Sequence, residues 1–105
     1  MQKIECYVRE SSVQPLVTAL AKAGVGGLSV YPVQGFGKQH GKGEALLMPK
    51  MKLEVFTLDI ETERILSIIL KVTSEGKFGD GKIAVLPVDD VIRIRTGEKG
   101  AKAVF

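Results

Sequence analysis

Apolar residues keep two different rhythms in this chain, and the rhythms alternate along it. From Lys3 to Arg9, Ile4, Cys6 and Val8 share one face while Glu5, Tyr7 and Arg9 share the other, the pattern of a half-buried strand. Val13, Leu16, Val17 and Leu20 then recur at helical spacing behind Ser11 and Ser12, which are candidate N-caps. Pro15 falls in the expected first turn, where a missing N–H is tolerated. Gly24 ends this helix and Gly26-Gly27 make a tight turn. The cycle repeats: a strand over Leu28 to Gly37, a second over Lys50 to Thr57, and a helix striped by Ile65, Leu66, Ile69 and Val72. Asp59 is placed to cap that helix, Gly76 to stop it, and a final strand region runs from Ile83 to Arg95, interrupted by Pro87.

The order is β-α-β-β-α-β. With 105 residues it makes one domain, 1–105. It predicts an α+β, ferredoxin-like sandwich with an antiparallel sheet and both helices on one face. The other sheet face carries Tyr7, Glu54 and Phe56, a surface suited to self-association. Two segments fall outside this regular pattern. The loop of about 37–50 includes most of Gly35-Phe36-Gly37-Lys38-Gln39-His40-Gly41-Lys42-Gly43, too glycine-rich for a buried strand and read as mobile. The tail of about 96–105 is polar, with a Gly97-Glu98-Lys99-Gly100 turn.

Composition narrows the function. A net charge of +3 leans towards anionic ligands, but no run of like charges makes a nucleic-acid arm. Trp is absent and there are four Phe and two Tyr, too few for a platform that stacks single strands, and no RNP-like aromatics mark a central strand. Nucleic acid is therefore not an expected partner. Cys6 is the one cysteine, on the apolar face of its strand, so it reads as a core residue rather than a reactive thiol. A single His40 without a cysteine partner is a weak metal signal. No apolar leader or long apolar span is present, so a soluble, cytoplasmic protein is expected, touching a membrane only through a partner.

Gly76-Lys77-Phe78-Gly79-Asp80-Gly81-Lys82 joins the second helix to the last strand. Glycines at this density let backbone N–H groups approach an anion, though the same composition also serves a plain turn. It is not a P-loop: Ile83 stands where Ser or Thr should hold magnesium, and the order is helix to strand. In Val91-Ile92-Arg93-Ile94-Arg95 the alternation puts both arginines on one side, about 7 Å apart by strand rise. That spacing suits either a polyphosphate or an edge that deters aggregation. No catalytic acid or base is obvious beyond Asp80 and Glu54, so no catalytic residue is assigned.

Taken in order, Gly35-Phe36-Gly37-Lys38-Gln39, Pro49-Lys50-Met51-Lys52-Leu53-Glu54, Gly76 to Ile83 and Val91 to Glu98 resemble the nitrogen regulatory P-II family over nearly the whole chain. The resemblance implies a homotrimer that binds ATP or ADP in clefts between subunits, with Mg2+ and 2-oxoglutarate as further possible ligands. It also implies regulation of a target protein, a transporter or a regulatory enzyme, through the 37–50 loop. Carried over, Gly79, Asp80, Gly81 and Lys82 belong at the phosphates, with Arg93 and Arg95 closing the clamp from a neighbouring subunit. Gly35, Gly37, Lys38 and Gln39 line the other wall. Tyr7, Ser29, Glu54 and Phe56 fall at the adenine and ribose end, and Gln39 with Lys50 at the 2-oxoglutarate position.

The chain departs from the family pattern in four places. Its loop is shorter, and Lys42 to Met48 carries no hydroxyl for modification. Lys38 replaces an arginine, and Ala84 an aromatic residue. The apolar run Ala45-Leu46-Leu47-Met48 suits a docking finger and suits packing back on the trimer equally well. The alternative functions are a slow ATP-hydrolysing enzyme and a scaffold of the same fold sensing another small ligand related to carbon or metal.

Overall fold

A computed structural model describes residues 1–36, 47–77 and 80–105. The elements are β1 (Gln2–Val8), α1 (Glu10–Lys22), β2 (Ser29–Gly35), β3 (Met48–Thr57), α2 (Asp59–Thr73), β4 (Lys82–Pro87) and α3 (Ala101–Val104). The strands form one sheet in the order β2-β3-β1-β4, and every neighbouring pair is antiparallel. This is the ferredoxin-like arrangement.

The two rhythms account for the core. β1 turns Ile4, Cys6 and Val8 inwards and β3 turns Leu53 and Val55, while α1 supplies Leu16 and Leu20 and α2 supplies Ile65 and Ile69; all nine are buried. The residues between them on β1 and β3 face away from the helices, so the sheet has one packed face and one open face. Cys6 is part of the packed face, and burial pushes its thiol pKa up to about 11.

Both helices begin earlier than their apolar stripes suggest. The Ser12 N–H already donates to the Arg9 carbonyl, so α1 starts at Glu10, and Ser11 and Ser12 lie in its first turn rather than at its cap. Pro15 consequently sits inside the helix. Asp59 is the first residue of α2 and makes no capping hydrogen bond; Leu58 occupies the N-cap.

The last stretch differs most from the sequence reading. β4 stops at Pro87, and residues 91–95 are not a strand. The Arg93 N–H donates to the Glu98 carbonyl and the Gly97 N–H to the Arg93 carbonyl, so the chain doubles back and leaves only an isolated bridge between Ile92 and Lys99. Gly97 (φ +72) and Gly100 (φ +70) take the left-handed conformation that this reversal needs. Past them, the expected polar tail contains the one-turn helix α3.

Candidate functional site

Antiparallel register lays the open face out in rows. Ser29, Glu54, Glu5 and Ala84 lie side by side across the four strands, as do Tyr31, Lys52, Tyr7 and Lys82. Phe56, Lys3 and Leu86 form the row on the far side of Glu54. Two carboxylates directly opposite one another, Glu5 and Glu54, should repel. Two ammonium groups prevent it. Lys3 Nζ lies 2.8 Å from Glu5 and 3.6 Å from Glu54, and Lys52 Nζ lies 3.3 Å from Glu54 and 3.5 Å from Glu5. Lys52 also sits between the rings of Tyr7 and Tyr31, at 5.4 and 5.5 Å from their centroids. The Tyr31 hydroxyl donates to Glu54 from 2.8 Å, and this bond, followed by Lys52, holds the Glu54 carboxyl below the usual range. The open face thus carries an internally neutralised polar cluster flanked by exposed aromatic rings.

At the end of this face where β1 finishes, the glycine-rich loop closes on Asp80. One carboxylate oxygen, Oδ2, accepts the N–H groups of Glu75 (2.9 Å), Gly76 (2.8 Å) and Lys77 (3.2 Å). The other, Oδ1, accepts from Arg9 Nη1 at 2.7 Å, and Arg9 reaches Glu75 as well, at 3.0 Å. Asp80 therefore organises the loop and ties it to the end of β1. The neighbouring Arg9, then the three amides, hold its pKa at about 2. Lys50, at the start of β3, feels the same group: burial and then Arg9 draw its pKa down while Asp80 opposes them.

Asp80 has its pKa lowered on folding, so the stability it contributes is complete above its ordinary pKa of 3.8 and is lost as pH falls through about 2. The amide resonances of Glu75, Gly76 and Lys77 should therefore titrate together with a midpoint near 2, and Asp80→Asn should flatten that titration. A common midpoint near 4 would show that the carboxylate is not held.

Gly81 sits where no other residue fits. Its φ is +106, and a Cβ there would overlap the Tyr7 carbonyl oxygen and lie 2.9 Å from the carbonyl carbon. Backbone pressed onto backbone sets the loop against β1 and delivers Lys82, exposed, into the row beside Tyr7. Gly35 ends β2 opposite Met48. Gly37, Lys38, Gln39 and Gly79 lie outside the described residues, as does most of the 37–50 loop. Phe36 and Leu47, which flank that segment, are exposed at 66% and 57%.

The two arginines stand apart from this end. Arg95 is exposed in the 94–96 turn. Arg93 is turned back on its own chain: Nη1 donates to Glu98 at 3.0 Å, and Nη2 to the Lys102 carbonyl, at 2.7 Å, and to the backbone oxygen of Phe105. Phe105 in turn lies against Gly26 and, with Val104, lines a small cavity that Phe56 also lines. Phe56 pairs with Lys3, four residues along β1 from Tyr7, or about 13 Å at 3.3 Å per residue. Within one chain, the lysine half and the arginine half of the expected phosphate clamp occupy opposite ends of the sheet. Tyr7, expected with Ser29, Glu54 and Phe56, lies in the row of Lys82.

Arg9 is the functional-site residue that sequence reasoning missed. Its place at the outward end of an alternating strand was legible, but its partner Asp80 is 71 positions away. The Lys3–Glu5–Lys52–Glu54 cluster was missed for the same reason; only the alternation of β1 and β3, read in register, would have revealed it. Among the described residues, no group of His, Cys, Asp and Glu is placed to hold a metal ion, and no helix is long and apolar enough to cross a membrane.

The family profile described as Nitrogen regulatory protein P-II matches residues 1–98. The chain is 42% identical to the nitrogen regulatory protein P-II of Cereibacter sphaeroides over 99% of its own length and 100% of that protein's. A P-II homolog of Arabidopsis thaliana is 40% identical over 96% of the chain, which spans only 56% of that longer relative. Among solved structures, the crystal structure of Arabidopsis thaliana PII bound to citrate superposes with a TM-score of 0.84 at 40% identity, covering 98% of this chain and 88% of that one.

Proposed function

The chain belongs to the nitrogen regulatory protein P-II family, and on that footing we propose that it is a homotrimeric sensor of ATP and ADP that regulates a target protein. The observation that carries this reading is the separation of the two half-sites. Gly81 and Lys82 stand beside Tyr7 at one end of the open face, while Arg93 is tied to Phe105, which lines the cavity at the Phe56 end. A head-to-tail ring of copies would bring the Lys82 end of one chain to the Arg93 end of the next. The open face supports such assembly, because its charges are already neutralised within the chain and its rings remain available for contact.

In the completed cleft, Gly81 sets the loop backbone, with Gly79, close to the phosphates, Lys82 supplies a point charge, and Arg93 and Arg95 supply paired donors. Asp80 acts by holding the loop. Ser29, Glu54 and Phe56 belong to the base and ribose end, with Tyr7 nearer the phosphates. Lys50, already beside Arg9 and Asp80, is placed to meet the carboxylates of 2-oxoglutarate or a magnesium-bound phosphate together with Gln39. The exposed Phe36 and Leu47 give the 37–50 loop an apolar base for docking on a transporter or regulatory enzyme. Binding is favoured over hydrolysis: Asp80, with a pKa of about 2, is a poor general base, and Glu54 is engaged by Tyr31 and two lysines.

The test is complementation between defective copies. Lys82→Ala and Arg93→Ala, each alone, should weaken ATP binding by about 10- to 100-fold in calorimetric titration. Dissociating the two variants, mixing them equally and reassembling should restore full-strength binding at about one quarter of the sites, since random rings join an intact Lys82 to an intact Arg93 that often. If the mixture recovers no sites while remaining trimeric, the shared cleft is wrong.

A further inference from the structure

Arg93 does not wait empty-handed. Its guanidinium is held by the Glu98 carboxylate, the Lys102 carbonyl and the backbone oxygen of Phe105. The last two lie within α3 and at its C-cap, and this single turn is fastened lightly. The Gly100 N–H reaches the Val91 carbonyl at 3.0 Å and Asp90 Oδ1 at 3.1 Å, and the Ala103 N–H reaches the Gly100 carbonyl at 2.9 Å. A one-turn helix has no cooperative stability of its own, so its position depends on these tethers and on where its far end docks. That docking point is Gly26, where an added Cβ would fall 2.7 Å from the Phe105 carbonyl carbon and 2.8 Å from its Cα. Val104 and Phe105 thereby close the small cavity shared with Phe56.

We propose that residues 100–105 form an intrachain latch which competes with nucleotide phosphate for Arg93 and covers the Phe56 edge of the same half-site. This rests on the reading of Arg93 as a phosphate ligand. Phosphate oxygens would take the same Nη2 donors in charge-assisted, bidentate bonds, so phosphate and these backbone oxygens exclude one another at Arg93. Phosphate therefore displaces the Lys102 and Phe105 oxygens, α3 stays tethered only at Gly100, and Phe105 lifts from Gly26. Nucleotide occupancy is converted into release of this segment at the rim of the cleft. Closing the latch lowers apparent affinity in proportion to the fraction of chains left open.

Two variants and one spectroscopic readout test the latch. Gly26 has no left-handed φ, so Gly26→Ala is compatible with its backbone and acts by pushing Phe105 away. Ala103→Pro removes the N–H that closes α3 without touching Gly26 or Arg93. In amide hydrogen exchange, both should speed exchange at Gly100, and Gly26→Ala should speed it at Ala103. Adding ATP to the unaltered trimer should also speed exchange at Ala103. Both variants should bind ATP more tightly, by about tenfold if the latch is closed nine-tenths of the time. Slower exchange at Ala103 on adding ATP, with weaker binding by both variants, would overturn the latch and make α3 a wall of the nucleotide site. If neither the unaltered chain nor either variant binds ATP, the sensor reading fails and takes the competing ligand with it.

Discussion

Gly81→Ala should lower stability by about 2–4 kcal/mol and abolish measurable ATP binding, although the side chain it adds is a single methyl. Two independent penalties combine. A φ of +106 is a conformation that L-residues with a Cβ occupy at a cost of about 1–2 kcal/mol. The methyl would also occupy the space of the Tyr7 carbonyl oxygen, so the loop must retreat from β1. Retreat breaks the pairing of Lys82 with Tyr7, which is the contact that aims Lys82 across the open face. At about 4–8 °C per kcal/mol for a domain of this size, the melting temperature should fall by about 10 °C or more. Urea denaturation and ATP titration on the same preparation separate the two effects. Wild-type stability would mean that the loop does not bear on β1 as described. Near-normal stability with lost binding would confine the damage to the phosphate cradle.

Leu53→Ala should have a comparable or larger effect on stability through an unrelated cause. Leu53 is fully buried between the packed face of β3 and the helices, while Lys52 and Glu54 on either side of it face the other way. Removing its side chain leaves a cavity among Ile4, Cys6, Leu16 and their neighbours, a change that costs about 2–5 kcal/mol in well-packed cores. Chemical denaturation should show a lower midpoint with an unchanged slope. Below the transition, ATP affinity should be nearly unchanged, because the cluster on the open face does not depend on the Leu53 side chain. A loss below about 1 kcal/mol would mean that β3 is paired in a shifted register, with its alternation facing the other way.

The register of β3 shows why so much of the fold was readable. Alternation in β1 and β3 and the 3.6-residue stripe of α1 and α2 report which side of each element meets the core, and short connections leave only a handful of sandwiches that satisfy them. The same rhythm placed Cys6 inside and Tyr7, Glu54 and Phe56 outside, as observed. Val91 to Arg95 was misread on the same logic. Its alternation of β-branched and charged residues has strand propensity, but Pro87 ends β4 and the glycines at 97 and 100 permit a reversal. The backbone bonds of Arg93 to Glu98 and Gly97 then outweigh the propensity.

By itself, then, the sequence determined the order of elements, the two faces of the sheet, the burial of Cys6 and the types of residue available for a phosphate. Each of these depends on neighbours a few positions away, within reach of a periodicity. Only the tertiary structure decided that Arg9 anchors Asp80 across 71 positions, that Lys3 and Lys52 neutralise two facing carboxylates, and that Lys82 and Arg93 stand at opposite ends of one sheet. Those are consequences of strand register and of where the chain returns. Charges far apart in sequence carry no local mark of the partner they will meet.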